Sequence, residues 1–496
     1  MKRHLVILTV TIIVAHAAID PRPGVVETPE DIMKAFFYQQ KTKVERVFTS
    51  GYEEAKKMKD SVNNYMEEQQ RKFSNDISSY VESVKESSRK VTNMWSFVPG
   101  EDSDSRLENP DVILSVPAII SRHGYTCETH TVVSQGYLLN VHRIPRSKNG
   151  KNTPSNTVYL QHGLFASSAD WILNGPEKAL AYVLAEAGYD VWMGNIRANK
   201  YSREHAWLKP NSKSYWNFSW HDVAEHDVPA VIDYIRQVKG EETKITYIGH
   251  SMGTTILFAM LTLRPEYNEI LTAGFALAPV VFMSDVKSPL RSLAPITSNV
   301  ASMEMMYGSY EFIPKRSSLG RMSNSCEVNK LDFMVCKNVL FYICGYDEKQ
   351  FNKTLLPVFL THLGTGTSWK TAVHFAQEAT SGGNFQQFDY GSYHNNRIYG
   401  TETPPQYDLS KITLPISLFW ANNDLLSSEK DVKKLYEKLP PATTEIYEVP
   451  FPEFNHLDYL WAIDAPTLVN DKVLQSLQRV FDDGNNLFSF NIRFAK

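Results

Sequence analysis

The apolar positions of this chain follow three rhythms. Between residues 19 and 108 they are sparse and fall three or four residues apart, or at sums of these. One run is Met58, Val62, Tyr65, Phe73, Ile77, Tyr80, Val84, Val91 and Trp95, and a shorter one is Ile32, Phe36, Val44 and Val47. That spacing sets the apolar side chains on one stripe, so an N-terminal amphipathic helical segment is expected, broken at Thr49-Ser50-Gly51 and followed by an acidic linker over 100–105. A helical hairpin packed on itself or on the main domain is the simpler reading, and a surface for lipid or a protein partner is the alternative. The mixed Lys and Glu on the polar face favour the first.

From residue 109 the rhythm changes. Short β-branched or apolar runs at 157–161, 189–194, 244–249, 274–277, 416–420 and 444–449 read as strands, and 176–187, 221–238 and 252–263 read as helices. Strands alternating with helices imply an α/β domain over 109–496, with a mostly parallel sheet covered on both faces. Between about 282 and 412 the alternation is lost. That stretch is rich in Ser, Met, Phe and Tyr, and is expected to be an insertion that caps the sheet.

Composition narrows the class. The chain has 496 residues, 43% of them hydrophobic, enough for a substantial core. A formal net charge of −4 leaves no basic surplus, so no nucleic-acid partner is expected. Lys2 and Arg3, an apolar stretch over 5–14 and Ala15-His16-Ala17 have the order of a signal peptide over 1–18. The stretch is shorter than the ~20 residues of a bilayer-spanning helix, and no later segment is apolar enough to be a transmembrane helix. A secreted or lysosomal destination through the secretory pathway is therefore expected. Four cysteines, Cys127, Cys326, Cys336 and Cys344, are too few for a disulfide scaffold. Cys326 with Cys336 is the preferred bridge, and four buried thiols are the alternative. Asn217-Phe218-Ser219 and Asn352-Lys353-Thr354 are glycosylation sequons. There is no HExxH, no CxxC pair and no glycine-rich phosphate cradle, so neither metal nor cofactor is expected.

The strongest chemical signal is Gly249-His250-Ser251-Met252-Gly253, set between the strand-like 245–248 and the helix-like 254–260. A strand that turns tightly into a helix pushes a serine hydroxyl clear of the sheet, and glycines on either side avoid a clash across the turn. Ser251 is the candidate nucleophile. A serine needs a base and the base needs an orienting acid, and in an α/β fold with such a strand-to-helix serine they follow in the chain order serine, acid, histidine. Asp424, just past the strand at 416–420, and His456, after the last strand, stand in that order. Asp458 is a rival acid better read as structural. Two backbone N–H groups must receive the developing oxyanion. Met252, after the nucleophile, is one donor, and Leu164, in the loop Gln161-His162-Gly163-Leu164, is the other. His162 precedes the serine and is read as shaping that loop.

These motifs, with Asn423-Asp424-Leu425-Leu426, Asn455-His456-Leu457-Asp458, Pro279, Ile343-Cys344-Gly345, Gly366-Thr367-Ser368 and Asp464-Ala465-Pro466, resemble the animal acid lipase family, which includes the gastric and lysosomal acid lipases. The likeness covers nearly four-fifths of the chain. It implies the α/β-hydrolase fold with a cap and lid, triacylglycerols or sterol esters as substrates, a Ser251–Asp424–His456 triad, and Leu164 and Met252 as oxyanion donors. Two features depart from the pattern. The family's Gly-Asn-Ser-Arg-Gly-Asn reads here Gly194-Asn195-Ile196-Arg197-Ala198-Asn199, and the N-terminal helical segment has no counterpart. A lipase working on a lipid ester at a lipid–water interface is the first reading, supported by the apolar stretch 303–307. A carboxylesterase for small soluble esters is the second. A non-catalytic lipid-binding protein on a lipase scaffold is the third, weakened because serine, acid and histidine are all present.

Overall fold

A computed structural model describes residues 109–150, 156–294, 300, 310–312 and 331–482. The expected signal peptide, the helical segment and linker of 19–108, the cap stretch 303–307, Cys326 and the side chain of Cys336 lie outside the described residues.

The first two strands form a hairpin that the apolar rhythm did not announce: β1 (Glu128–Ser134) and β2 (Tyr137–Ile144) pair antiparallel. Gln135 and Gly136 between them both have positive φ, 47° and 90°, the geometry that lets a two-residue turn match the strand twist. Then come β3 (Asn156–Gln161), β4 (Tyr189–Met193), β5 (Ile245–His250), β6 (Leu271–Leu277), β7 (Ile416–Trp420) and β8 (Thr444–Glu448). The sheet runs β1-β2-β4-β3-β5-β6-β7-β8, parallel from β4 onward, with a two-residue strand, Glu204–His205, beside β2. The six expected strands are therefore present, with ends shifted by at most a few residues.

Helices cover both faces because alternate strand residues feed two separate cores. Val158, Leu160, Val191 and Ile248 point into one, with α1 (Val116–Arg122) and α2 (Leu180–Glu186). Tyr159, Trp192, Tyr247 and Leu418 point into the other, with α3 (Val228–Lys239) and α4 (Met252–Leu263). The α2 helix starts later than expected from 176–187, after the turn at Gly175 (φ 86°) and Pro176. The helix expected over 221–238 begins at Trp220 on a Ser219 capping box and passes through a π turn, Val223–Asp227, before α3.

Between β6 and β7 the described residues form α5 (Leu331–Cys344), α6 (Leu356–His362), α7 (Trp369–Thr380) and α8 (Ser392–Tyr399), with Glu311–Phe312 pairing antiparallel to Thr367–Ser368. Phe312 packs on Trp369 (4.4 Å between centroids) and on Phe165 (5.3 Å) in the loop after β3, which ties the insertion to that loop. After β7, α9 (Glu429–Lys438) leads to β8, and α10 (Asp471–Asp482) buries Val473 and Leu477 in the first core.

Candidate active site

Ser251 lies between the end of β5 and the start of α4 with φ 54° and ψ −120°. A non-glycine residue rarely adopts this conformation, so the surroundings must impose it. Both flanking glycines are needed for close approach. A Cβ on Gly253 would stand 2.3 Å from the Gln161 carbonyl oxygen, and one on Gly249 2.7 Å from the Gly253 carbonyl. The turn is pinned on each side: Ser251 N–H donates to the Leu277 carbonyl (3.0 Å), and Thr254 donates to the Ser251 carbonyl from its N–H (2.8 Å) and hydroxyl (2.6 Å).

The fold brings His456 and Asp424 to this hydroxyl. His456 Nε2 is 2.7 Å from Ser251 Oγ, and its Nδ1 is 2.8 Å from Asp424 Oδ2 and 3.0 Å from Oδ1. The Asp424 Oδ1 also accepts from the N–H groups of Leu426 (2.9 Å) and Ser427 (2.8 Å). A carboxylate can only accept, so Nδ1 carries the imidazole proton and Nε2 offers its lone pair to the serine. Asp424 is 1% exposed and His456 3%, so water does not compete for either. Chemically, the line can take a proton from Ser251 and hold the resulting imidazolium beside a negative charge.

Asp458 stands elsewhere. Its Oδ2 accepts from Asn455 N–H (2.6 Å), closing the turn that carries His456, and burial pushes its carboxyl well above the usual range. Two supports were not visible as such in the sequence. The Cys344 carbonyl, at the end of α5, accepts from the N–H of both Leu425 and His456 (3.3 Å each), so one atom braces the loops that carry Asp424 and His456. Gly345 follows with φ 120°, and a Cβ there would lie 2.1 Å from the Asn423 carbonyl oxygen. The second support is His250, whose Nε2 donates to the His456 carbonyl (2.9 Å). Burial first, and then the repulsion a charged His456 would exert, lower His250 to about 3, so it stays neutral beside that ring. A histidine next to the serine was the only sequence signal for it.

The loop after β3 comes close to Ser251. A Cβ on Gly163 would lie 3.1 Å from Ser251 Cβ. Leu164 follows, half-buried against the second core, and Phe165 (φ 61°) gives its carbonyl to the N–H groups of Gly364 (2.8 Å) and Thr365 (3.1 Å). Met252 is the first residue of α4, where a backbone N–H has no partner within the helix. His162 is wholly buried beneath this loop, and burial lowers it to about 4.

The loop Gly194–Asn199, which departs from the family pattern, sits behind His162. Arg197 makes a buried double ion pair with Asp227 (2.5 and 2.9 Å) and stacks over Tyr137. Ala198 has φ 66°, so it holds with a side chain a conformation that favours glycine. Elsewhere, Cys127 and Cys344 are free thiols. Asn217 is exposed, while the Asn352 side chain accepts from Thr354 N–H (3.2 Å) and hydroxyl (2.8 Å). Among the described residues no His, Cys, Asp and Glu cluster could hold a metal, and no helix is long and apolar enough to cross a membrane.

A strand-to-helix serine, a buried histidine and carboxylate, and a mostly parallel eight-strand path define an α/β hydrolase. The α/β-hydrolase-fold family model matches residues 156–462, and the model of a partial α/β-hydrolase lipase region matches 116–175. Gastric triacylglycerol lipase of Rattus norvegicus is 38% identical over 376 residues, covering 74% of this chain and 93% of that one. The Bos taurus gastric triacylglycerol lipase is 40% identical over 374 residues (74% and 92%), and Lipase 3 of Drosophila melanogaster 40% over 365 residues (72% and 91%). The chain belongs to the animal acid lipase family, and it is an ester hydrolase.

Proposed function

We propose that this enzyme is a secreted serine lipase that hydrolyses neutral-lipid esters, triacylglycerols or sterol esters, through an acyl-enzyme. The observation that carries the reading is the unbroken hydrogen-bonded line from Asp424 through His456 to the hydroxyl of Ser251. In this scheme His456 Nε2 takes the Ser251 proton as Oγ attacks the ester carbonyl. The N–H groups of Leu164 and Met252 receive the oxyanion, each such donor contributing roughly 2.7–4 kcal/mol. The imidazolium then protonates the departing alcohol, leaving an acyl group on Oγ. Water attacks next, activated by the same nitrogen, and releases the fatty acid. Asp424 keeps the proton on Nδ1 throughout.

The lipid substrate is supported by the likeness to triacylglycerol lipases and by the insertion of 282–412, read as a cap, whose Phe312 packs on Phe165 beside Leu164. Secretion is supported by residues 1–18. Ser251→Ala is expected to abolish turnover and phosphonate labelling while leaving the thermal melt unchanged. Wild-type enzyme is then compared on emulsified long-chain triacylglycerol, cholesteryl oleate and short soluble esters. A preference for the emulsified substrates supports the lipase, and a preference for the soluble ones makes the protein a carboxylesterase.

A further inference from the structure

We propose that His162 is a positioning residue that sets the direction of the Leu164 N–H by gripping the carbonyl at the other end of the same peptide unit. The inference rests on the reading of Leu164 as an oxyanion donor and deepens it.

The protonation of His162 follows from its partners. Nδ1 is 2.8 Å from the Gly163 carbonyl oxygen, which can only accept, so Nδ1 carries the hydrogen. Nε2 faces two groups that can only donate. One is the Ile196 N–H (3.3 Å). The other is the Asn199 amide nitrogen (3.3 Å), whose identity is settled because Asn199 Oδ1 accepts from the N–H of Tyr201 (2.9 Å) and Ser202 (3.1 Å), and Nδ2 donates to Asn195 Oδ1 (3.0 Å). Every atom around the ring therefore demands the same neutral tautomer. The ring has no room to turn, being fully buried, and its far side is held by a loop anchored through the Arg197–Asp227 pair.

The consequence comes from peptide geometry. The Gly163–Leu164 unit is planar and trans, so its C=O and N–H point in opposite directions. Fixing the carbonyl on His162 fixes the N–H facing the other way. Such a grip matters here because Gly163 has no Cβ to restrict its own rotation, and without a hydrogen bond the peptide can turn over at little cost. Yet a side chain at Gly163 would be crowded, its Cβ position lying 3.1 Å from Ser251 Cβ and 3.3 Å from His250 Nδ1. The site thus combines a residue that fits against the nucleophile with a neighbour that removes the freedom the fit requires. The donor is set before substrate arrives, which is what an oxyanion site needs to be effective.

Two amide substitutions separate the grip from mere filling of space. An Asn amide nitrogen falls near the His Nδ1 position and can still donate to the Gly163 carbonyl, whereas a Gln amide reaches the Nε2 position and leaves the carbonyl unheld. On a soluble short-chain ester, which removes interfacial effects, His162→Gln is expected to lower kcat by about 10²-fold with KM changed less than about threefold. His162→Asn is expected to stay within about tenfold of the wild type. Thermal melts establish that each variant is folded, and His162→Phe, which also lacks the donor, replaces the Gln variant if that one does not fold. A folded donor-less variant with kcat within about threefold of wild type overturns the proposal, and so do equal losses in the Asn and donor-less variants. Leu164→Pro, which deletes the N–H itself, tells the two ideas apart. Full kcat in a folded Leu164→Pro enzyme removes the oxyanion reading. A large loss there, beside an unaffected His162→Gln enzyme, leaves that reading standing and discards only the role of His162.

Discussion

Replacing Asp424 by Asn changes one atom and tests the whole line. In the native site Oδ1 takes two backbone N–H bonds, from Leu426 and Ser427, and the longer contact of His456 Nδ1 (3.0 Å), while Oδ2 takes the shorter one (2.8 Å). An amide has one acceptor oxygen and one donor nitrogen. The two backbone donors oblige that oxygen to stand at the Oδ1 position, since turning it away leaves both N–H groups buried and facing an NH2, at about 1–3 kcal/mol each. The NH2 group must then face His456 Nδ1. Two donors cannot share the shorter contact, which leaves Nδ1–H only the longer one to the amide oxygen and favours moving the imidazole proton to Nε2, where it faces Ser251 Oγ and blocks proton uptake. A wrong-tautomer histidine in a serine triad costs about 10⁴-fold in kcat, close to 5 kcal/mol of barrier. The assay is kcat on a soluble ester at neutral pH for wild type and Asp424→Asn, with thermal melts to show that both are folded. A folded variant that keeps kcat within about tenfold of wild type refutes the tautomer argument.

Other consequences are read in stability. Ala198→Gly relieves the side-chain clash at φ 66° and is expected to stabilise the protein by about 1 kcal/mol in urea unfolding, with kcat unchanged; a loss of stability contradicts this. Asp227→Ala leaves the Arg197 guanidinium buried without its partner and is expected to destabilise by about 3–5 kcal/mol. The double change Arg197→Met with Asp227→Leu should lose clearly less, and an equal loss would show that the pair's charges are not the cause. Asp170 is buried, its Oδ1 has no hydrogen-bond partner among the described residues, and burial, opposed in part by Lys200, raises it from 3.8 to about 7. A raised folded pKa means stability fully present below pH 3.8 and lost as pH rises through about 7. Asp170→Asn should therefore match wild type near pH 4 and exceed it by up to roughly 4 kcal/mol at pH 8, and parallel pH profiles of unfolding free energy would exclude the effect.

What the linear chain determined by itself is the part of the site made by short-range geometry. The elbow at Ser251 needs one strand, one tight turn and one helix within about twenty residues. Each leaves a local mark: the apolar run into Gly249, the glycines that permit a 2.3 Å approach, and the helical rhythm of α4, which begins and ends where the pattern says. Asp424 and His456 were legible from their places after strand ends and their order behind the serine. The β1–β2 hairpin carries the local signature Gln135-Gly136 but hides because β1 is largely polar, with Thr129, Thr131 and Val133 exposed. Tertiary structure alone decided the rest. Only the packed sheet brings the ring of His250 to the carbonyl of His456, 206 residues away, and only the segment between β6 and β7 sets the Cys344 carbonyl between the Asp424 and His456 loops. The tautomer of His162 likewise depends on Ile196 and Asn199 in another loop. Periodicity records which face of an element is buried. It carries no record of which distant carbonyl or amide meets a side chain there, because that is settled by the order of strands in the sheet and the path of the loops that join them.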